Sequence, residues 1–138
     1  KKLPLLTTYE EYQFYADMEF APTIFAHITY YKLLDQQYPG SKFILNLRDK
    51  KAWLLSRCRT NNYLDRFQKK FKLNAAQVID LWSQQWDDHL ADVRKYFSGR
   101  NDCLEFQIDK DPISKLIAFF PELSLQDKWD QVIPKFKA

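Results

Sequence analysis

Hydrophobic positions recur along this chain with two different periods. After Pro22, Ile24, Phe25, Ile28, Tyr31, Leu34 and Tyr38 fall at three- and four-residue intervals, which predicts a helix ended by Pro39 and Gly40. Residues 42–47, KFILNL, are short and branched enough to predict a buried strand, although period alone also fits a helical turn. Asp49 is then placed to cap a helix carrying Trp53, Leu54 and Cys58. Beyond the break at Thr60, Asn61 and Asn62, a second amphipathic piece carries Leu64, Phe67 and Phe71. The longest stripe follows Asn74 and runs through Val78, Ile79, Trp82, Trp86, Leu90, Val93 and Phe97 to a stop at Ser98 and Gly99. Gln77, three residues after Asn74, predicts a capping box at its start. Residues 103–108, CLEFQI, alternate as a second strand does. Asp111 is expected to cap a last helix with Pro112 at its first position and Ile113, Leu116, Ile117 and Phe120 on one face, before Pro121 stops it.

Residues 1–19 are rich in Tyr and acids without a sustained period and predict an irregular arm with a short helix; residues 122–138 predict a surface tail. The order helix, strand, helices, strand, helix is that of an α/β layer with a parallel sheet, and residues 1–138 are expected to form one domain. Two strands alone make a poor parallel sheet. Further strands are therefore expected from elsewhere.

Composition narrows the function. The 138 residues are 46% hydrophobic, which suits a packed core and excludes a disordered or fibrous chain. Gly40 and Gly99 are the only glycines, so no glycine-rich phosphate loop can be written in these residues. Twenty-one Lys and Arg against 18 Asp and Glu leave +3 with the signs interleaved, which argues against a nucleic-acid partner. Cys58 and Cys103 form no CxxC and His27 and His89 complete no ligand pattern, so no metal site is expected. Both cysteines read as free thiols of a reducing, cytoplasmic compartment. No stretch reaches the ~18 apolar residues of a membrane span, and the Tyr-rich start does not read as a secretory signal.

The candidate chemistry lies at the end of the first strand. Arg48 closes that strand, and open α/β sheets bind ligands at the carboxyl ends of their strands. Ser56 follows eight residues later, roughly 10 Å along the next helix. An arginine fork and a serine hydroxyl together suit a phosphate, and Arg57 and Arg59 add positive charge nearby.

The block PGSKFILNLRDKKAWLLS, residues 39–56, resembles the strand and helix of P-loop sulfotransferases that hold the 3′-phosphate of 3′-phosphoadenosine 5′-phosphosulfate (PAPS). The later order is similar to bacterial-type sulfotransferase-like proteins: a long helix with Trp82, Trp86 and His89, then VRKYFSGRNDCLEFQID, then the short helix of residues 112–120. The similarity covers roughly residues 20–121. It implies a P-loop NTPase-like three-layer α/β/α fold with a short parallel sheet and mostly helical content. It implies sulfuryl transfer from PAPS to a hydroxyl or amine, with Arg48 and Ser56 as the 3′-phosphate ligands. The partners would be a nucleotide donor and a small-molecule or glycan acceptor. The acceptor, the catalytic base and the oligomeric state stay open.

The family's opening strand and phosphate loop have no counterpart in these residues, so a domain incomplete at its N-terminus is expected. The family's aspartate-proline is also absent, since Lys50 follows Asp49. A competing reading is a non-catalytic binding or interaction module on the same scaffold without its phosphate loop, and a third is a mainly helical domain with no ligand should residues 43–47 be helical. Trp53, Trp82 and Trp86 read as core, His27 as a satisfied helix residue, His89 as part of a solvated polar face with Asp88 and Asp92, and Lys69, Lys70 and Lys72 as a solvated helix face. Asp17 and Glu19 could approach an acceptor in a complete enzyme.

Overall fold

The computed structural model describes residues 5–7, 14–16, 19–20, 24–60 and 62–123. The chain is mixed α/β and mostly helical, and it contains a two-stranded parallel sheet. It divides into two compact units, one of Lys1–Ser41 with Lys50–Arg100 and one of Lys42–Asp49 with Asn101–Ala138.

The first unit opens with β1 (Glu19–Phe20) paired antiparallel to β2 (Ile24–Phe25), followed by α1 (Ala26–Thr29) and α2 (Tyr31–Gln37). The single helix expected from Pro22 is thus corrected. Ile24 and Phe25 are extended, as suits branched and aromatic residues given a pairing partner, and the Phe25 ring packs 6.2 Å from Phe67. Tyr30, at φ −118° and ψ −2°, separates the two helical pieces. Gly40 takes φ 88° in the turn after α2, a backbone angle that glycine adopts without steric cost. The described part of the arm is tied to this region, with Leu5 N–H donating to Gln37 Oε1 at 2.9 Å and Leu6 N–H to Tyr38 Oη at 2.8 Å. Most of the predicted arm, Asp17 included, and residues 124–138 of the predicted tail lie outside the described residues.

Three further helices, α3 (Lys50–Arg59), α4 (Tyr63–Phe71) and α5 (Ala75–Tyr96), build the core of this unit. Tyr63, Phe67, Val78 and Trp82 form its buried centre, with Phe25, Trp53, Leu54, Cys58, Leu64 and Leu73 packed around them. The capping box at α5 forms: Gln77 N–H donates to Asn74 Oδ1 at 3.0 Å and Asn74 N–H to Gln77 Oε1 at 2.9 Å. Two otherwise orphaned amides are satisfied there.

A second set of contacts holds α2 to α5. Tyr31 Oη donates to Asp92 Oδ2 at 2.6 Å, and Tyr96 Oη donates to Asp35 Oδ2 at 2.7 Å. Each helix supplies one phenol and one carboxylate, four residues apart on one face. Arg100 closes the arrangement with a fork onto Asp35, both bonds 2.7 Å, and Lys32 reaches Asp92 at 2.7 Å. The Arg100 fork, opposed by burial and reinforced by Tyr96, holds the Asp35 carboxyl below the usual aspartate range; Lys32 and then Tyr31 do the same for Asp92.

The second unit holds β3 (Phe43–Leu47) and β4 (Cys103–Gln107), paired parallel with Phe43 opposite Cys103 and Leu47 opposite Gln107. The strand reading of residues 42–47 therefore holds over the helical one. The ladder is extended at both ends, by Phe43 N–H donating to Asp102 C=O at 2.7 Å and Ile108 N–H to Leu47 C=O at 2.9 Å. The last helix, α6 (Ile113–Phe119), packs on β4 and leads into a 3₁₀ turn, Pro121–Leu123. Its expected cap is corrected: Pro112 is the N-cap residue, and no side chain caps the helix. Asp111 instead accepts the Gln107 N–H at 2.8 Å and the Lys115 ammonium at 2.7 Å, because the amide left over at the end of β4 is as demanding as a helix terminus. At the other end of α6, Lys42 Nζ donates to Phe119 C=O at 2.8 Å and pairs with Glu122 at 3.0 Å. Lysine at a helix carboxyl end satisfies an orphan carbonyl and favours the dipole.

Candidate functional site at the end of the parallel strands

The parallel pair brings two chain exits to one edge, Arg48 and Asp49 after β3 and residues 108–111 after β4. Two acids after β4 are committed to backbone. Asp109 Oδ2 accepts the Asp49 N–H at 3.0 Å, and Asp111 Oδ2 accepts Gln107 N–H as described. The Gln107 amide, followed by the Lys115 ammonium, lowers the pKa of Asp111, which is therefore ionised at neutral pH. Arg48 contrasts with these acids. It is half-buried and makes no hydrogen bond or ion pair among the described residues. A guanidinium carries five donors and cannot neutralise itself by losing a proton. Held at a strand end without a carboxylate, it is equipped to take a planar or tetrahedral oxyanion.

Ser56 lies in the other unit, at the seventh position of α3, and is exposed. The helix turns it outward because Trp53, Leu54 and Cys58 occupy the face packed on the core. Its carbonyl accepts the Thr60 hydroxyl at 2.8 Å. Asp49 directly precedes α3, as the sequence predicts. Each candidate ligand is thus set by its own element, Arg48 by β3 and Ser56 by α3.

The remaining candidates fall into place separately. Trp82 is fully buried, whereas Trp53 and Trp86 are half-buried and face each other with ring centroids 4.7 Å apart. Lys50 and Asp87 bridge the same two helices at 2.7 Å. His89 does not sit on a wholly solvated polar face. Its half-buried ring meets Tyr31 edge-on with centroids 5.8 Å apart. His27 is in α1 and its side chain is outside the described set; Glu19 is in β1. Lys69, Lys70 and Lys72 are exposed. Among the described residues, no cluster of three His, Cys, Asp or Glu side chains is placed to hold a metal, and no helix is long and apolar enough to cross a membrane.

Arg57 is the residue whose role the pattern hides. Its guanidinium carbon lies 4.5 Å from the Tyr63 ring centre, 4.8 Å from Trp53 and 4.9 Å from Trp82. It stacks in the aromatic core of its unit, where cation–π attraction is strengthened by desolvation. The spacing Trp53 to Arg57, one helical turn, is the one sequence signal of this placement.

The sulfotransferase domain family model matches residues 7–121. No curated protein and no solved structure matches the chain. With the match running from the arm through β3, Arg48, Ser56 and β4 to the end of α6, the chain belongs to the sulfotransferase domain family.

Proposed function

We propose that the chain is a sulfotransferase domain that transfers a sulfuryl group from PAPS to a hydroxyl or amine acceptor, with Arg48 and Ser56 as ligands of the donor 3′-phosphate. The family, which typically uses this donor, supports the reaction class. The observation that carries the assignment is Arg48, a half-buried guanidinium directly after a parallel strand with no protein partner among the described residues. Ser56 is supported by its exposure and by its spacing within the same continuous stretch of chain.

The donor supplies an activated sulfuryl group: its sulfur–oxygen bond to the 5′-phosphate breaks as the acceptor oxygen or nitrogen bonds to sulfur, and the acceptor proton passes to a base. Arg48 forks charge-assisted hydrogen bonds onto the 3′-phosphate oxygens, and the Ser56 hydroxyl donates one more. Neither residue touches the reacting sulfur. Both contribute by fixing the donor's position, which converts an encounter into an oriented reaction. The three-layer α/β/α arrangement belongs to the same proposal. It is supported by the parallel pairing of β3 with β4, the pairing on which layered α/β sheets are built.

A second reading, nucleotide binding without transfer, is favoured by one observation: the glycines are Gly40 and Gly99, and neither belongs to a glycine-rich phosphate loop. A thermal-shift titration with adenosine 3′,5′-bisphosphate tests the binding common to both. A ligand of the native state at 100 times its Kd stabilises by about 2.7 kcal/mol, so the melting temperature should climb with concentration. A flat titration removes both readings. Release of the same bisphosphate from PAPS in the presence of small hydroxyl and amine acceptors then selects between them.

A further inference from the structure

Arg48 is held at both of its peptide groups by the chain that leaves β4. Before it, the Leu47 carbonyl accepts the Ile108 N–H at 2.9 Å; after it, the Asp49 N–H is donated to Asp109 Oδ2 at 3.0 Å. A peptide group is planar, so once the planes on either side of a residue are anchored, only its φ and ψ link them and the two anchors set both. In a parallel ladder the acceptor for the Asp49 amide, one rung beyond the Ile108 bond, is a main-chain carbonyl. Here a side chain takes that amide. The ladder pairing runs to Leu47 opposite Gln107 and residues 108–110 already form a turn, so Asp109 lets β4 end while the far side of Arg48 stays anchored. The turn that presents Asp109 is itself closed. Gln107 C=O accepts the N–H groups of Lys110 at 3.0 Å and Asp111 at 2.7 Å, while Asp111 Oδ2 accepts the Gln107 N–H at 2.8 Å and the Lys115 ammonium at 2.7 Å. Hydrogen bonds thus run from α6 through Asp111 and this turn to the backbone on which Arg48 stands.

We propose that Asp109 is a positioning residue of the donor site: its carboxylate fixes the Arg48 backbone at the strand end, so that the guanidinium approaches the 3′-phosphate from a preset origin. The carboxylate acts on the backbone of Arg48 and not on its guanidinium, which makes no hydrogen bond or ion pair among the described residues. The inference rests on the assignment of Arg48 to the donor 3′-phosphate and adds to it a residue that does not touch the donor. Without the Asp109 acceptor, the Arg48–Asp49 peptide loses this anchor, and binding must then order it. The role needs an acceptor oxygen and not a charge. Asparagine presents an amide oxygen on the same stem and removes a negative charge from the end of the sheet that receives the phosphate.

The test is calorimetric titration of adenosine 3′,5′-bisphosphate into wild type, Asp109→Ala, Asp109→Asn, Arg48→Ala and the double variant Arg48→Ala with Asp109→Ala, with melting temperatures read on each. Asp109→Ala should weaken binding about tenfold, the scale of ordering one residue's backbone. It should also speed hydrogen exchange of the Asp49 amide. Asp109→Asn should bind as wild type does or more tightly, and keep that amide protected. In the Arg48→Ala background, loss of Asp109 should cost no further affinity, since a residue that acts through Arg48 has nothing left to place. A merely structural carboxylate would lower the melting temperature without this dependence on Arg48. The overturning results are an Asp109→Ala that binds as wild type does or exchanges the Asp49 amide as slowly, an Asp109→Asn as weak as Asp109→Ala, or losses that add in the double variant. Loss of affinity in Arg48→Ala but not in Asp109→Ala removes this inference alone. A wild type that does not bind the bisphosphate, or an Arg48→Ala that binds it equally, removes the donor reading and the inference with it.

Discussion

Arg100 and Arg48 are the same residue type in opposite circumstances. Arg100 forks onto Asp35 with two 2.7 Å bonds, in a cluster where Tyr96 donates to the same carboxylate and Tyr31 and Lys32 share Asp92. Lys32, Asp35, Asp92 and Arg100 each have a protein partner there, and their bonds hold α2 to α5. Arg48 stands half-buried directly after β3 with no hydrogen bond or ion pair among the described residues, and Asp109 and Asp111, after β4, accept backbone amides. A buried or half-buried charge costs free energy unless something compensates it. At Arg48 water reaches the guanidinium, and under the proposed function the donor 3′-phosphate would supply the counter-charge that Asp35 supplies to Arg100.

The comparison breaks most visibly at the paired end. Asp35→Ala removes a carboxylate whose side chain is only 10% exposed and strands both Arg100 and the Tyr96 hydroxyl. Loss of these charge-assisted bonds should cost roughly 2–3 kcal/mol of stability in denaturant unfolding, with the affinity for adenosine 3′,5′-bisphosphate unchanged in the folded variant. Arg48→Ala should do the converse. It should weaken nucleotide binding by about 2 kcal/mol, the worth of hydrogen bonds to a charged group, and leave stability within about 0.5 kcal/mol, as expected where no protein contact is lost. Ser56→Ala removes one exposed hydroxyl and should weaken nucleotide binding by about 1 kcal/mol, with no change in melting temperature.

The smallest effect is in the pH dependence. Asp35 and Asp92 have lowered pKa values in the folded chain, so the stability they contribute is complete above the ordinary aspartate value of about 3.9 and is lost as pH falls through their folded values. Tyr96 is shifted upward by its bond to Asp35, so its contribution is present below about pH 10 and is lost on raising pH through the folded value. Melting temperature measured from pH 7 to pH 2 should fall less in Asp35→Ala than in wild type below about pH 4. Parallel curves would mean that the cluster stores no pH-dependent stability.

How far the sequence foretells this molecule depends on whether a residue's partner is close in the chain. The start of α5 was legible because Asn74 and Gln77 satisfy each other's backbone three residues apart, and its buried stripe of Val78, Trp82 and Val93 follows one helical period. β3 was legible as a branched apolar run and β4 as an alternation of apolar and polar residues, and β3 was separable from a helical turn only once β4 paired with it. Ile24 and Phe25 misled because their helical spacing with Ile28 and Tyr31 is real, yet β1 and Phe67 offer a better fit that no local window contains. Asp111 misled for a related reason: the end of β4 competes with the start of α6 for one carboxylate. The clasp of Tyr31, Asp35, Asp92 and Tyr96 and the aromatic seat of Arg57 depend on contacts between distant helices, and charged residues carry no periodic signal that marks them as core. Arg48 and Ser56 stand in the sequence as a spaced pair after a strand, inside the stretch the family model matches, and their sharing of a ligand is what the nucleotide titrations test.

Isothermal titration of adenosine 3′,5′-bisphosphate into wild type and Arg48→Ala, with equal melting temperatures confirming an equal fold, bears most directly on the meaning of the unpaired arginine. Binding by wild type with a loss of about 30-fold in the variant, the equivalent of about 2 kcal/mol, is the predicted result. Equal affinity of the two proteins, or a wild type that does not bind, would contradict it.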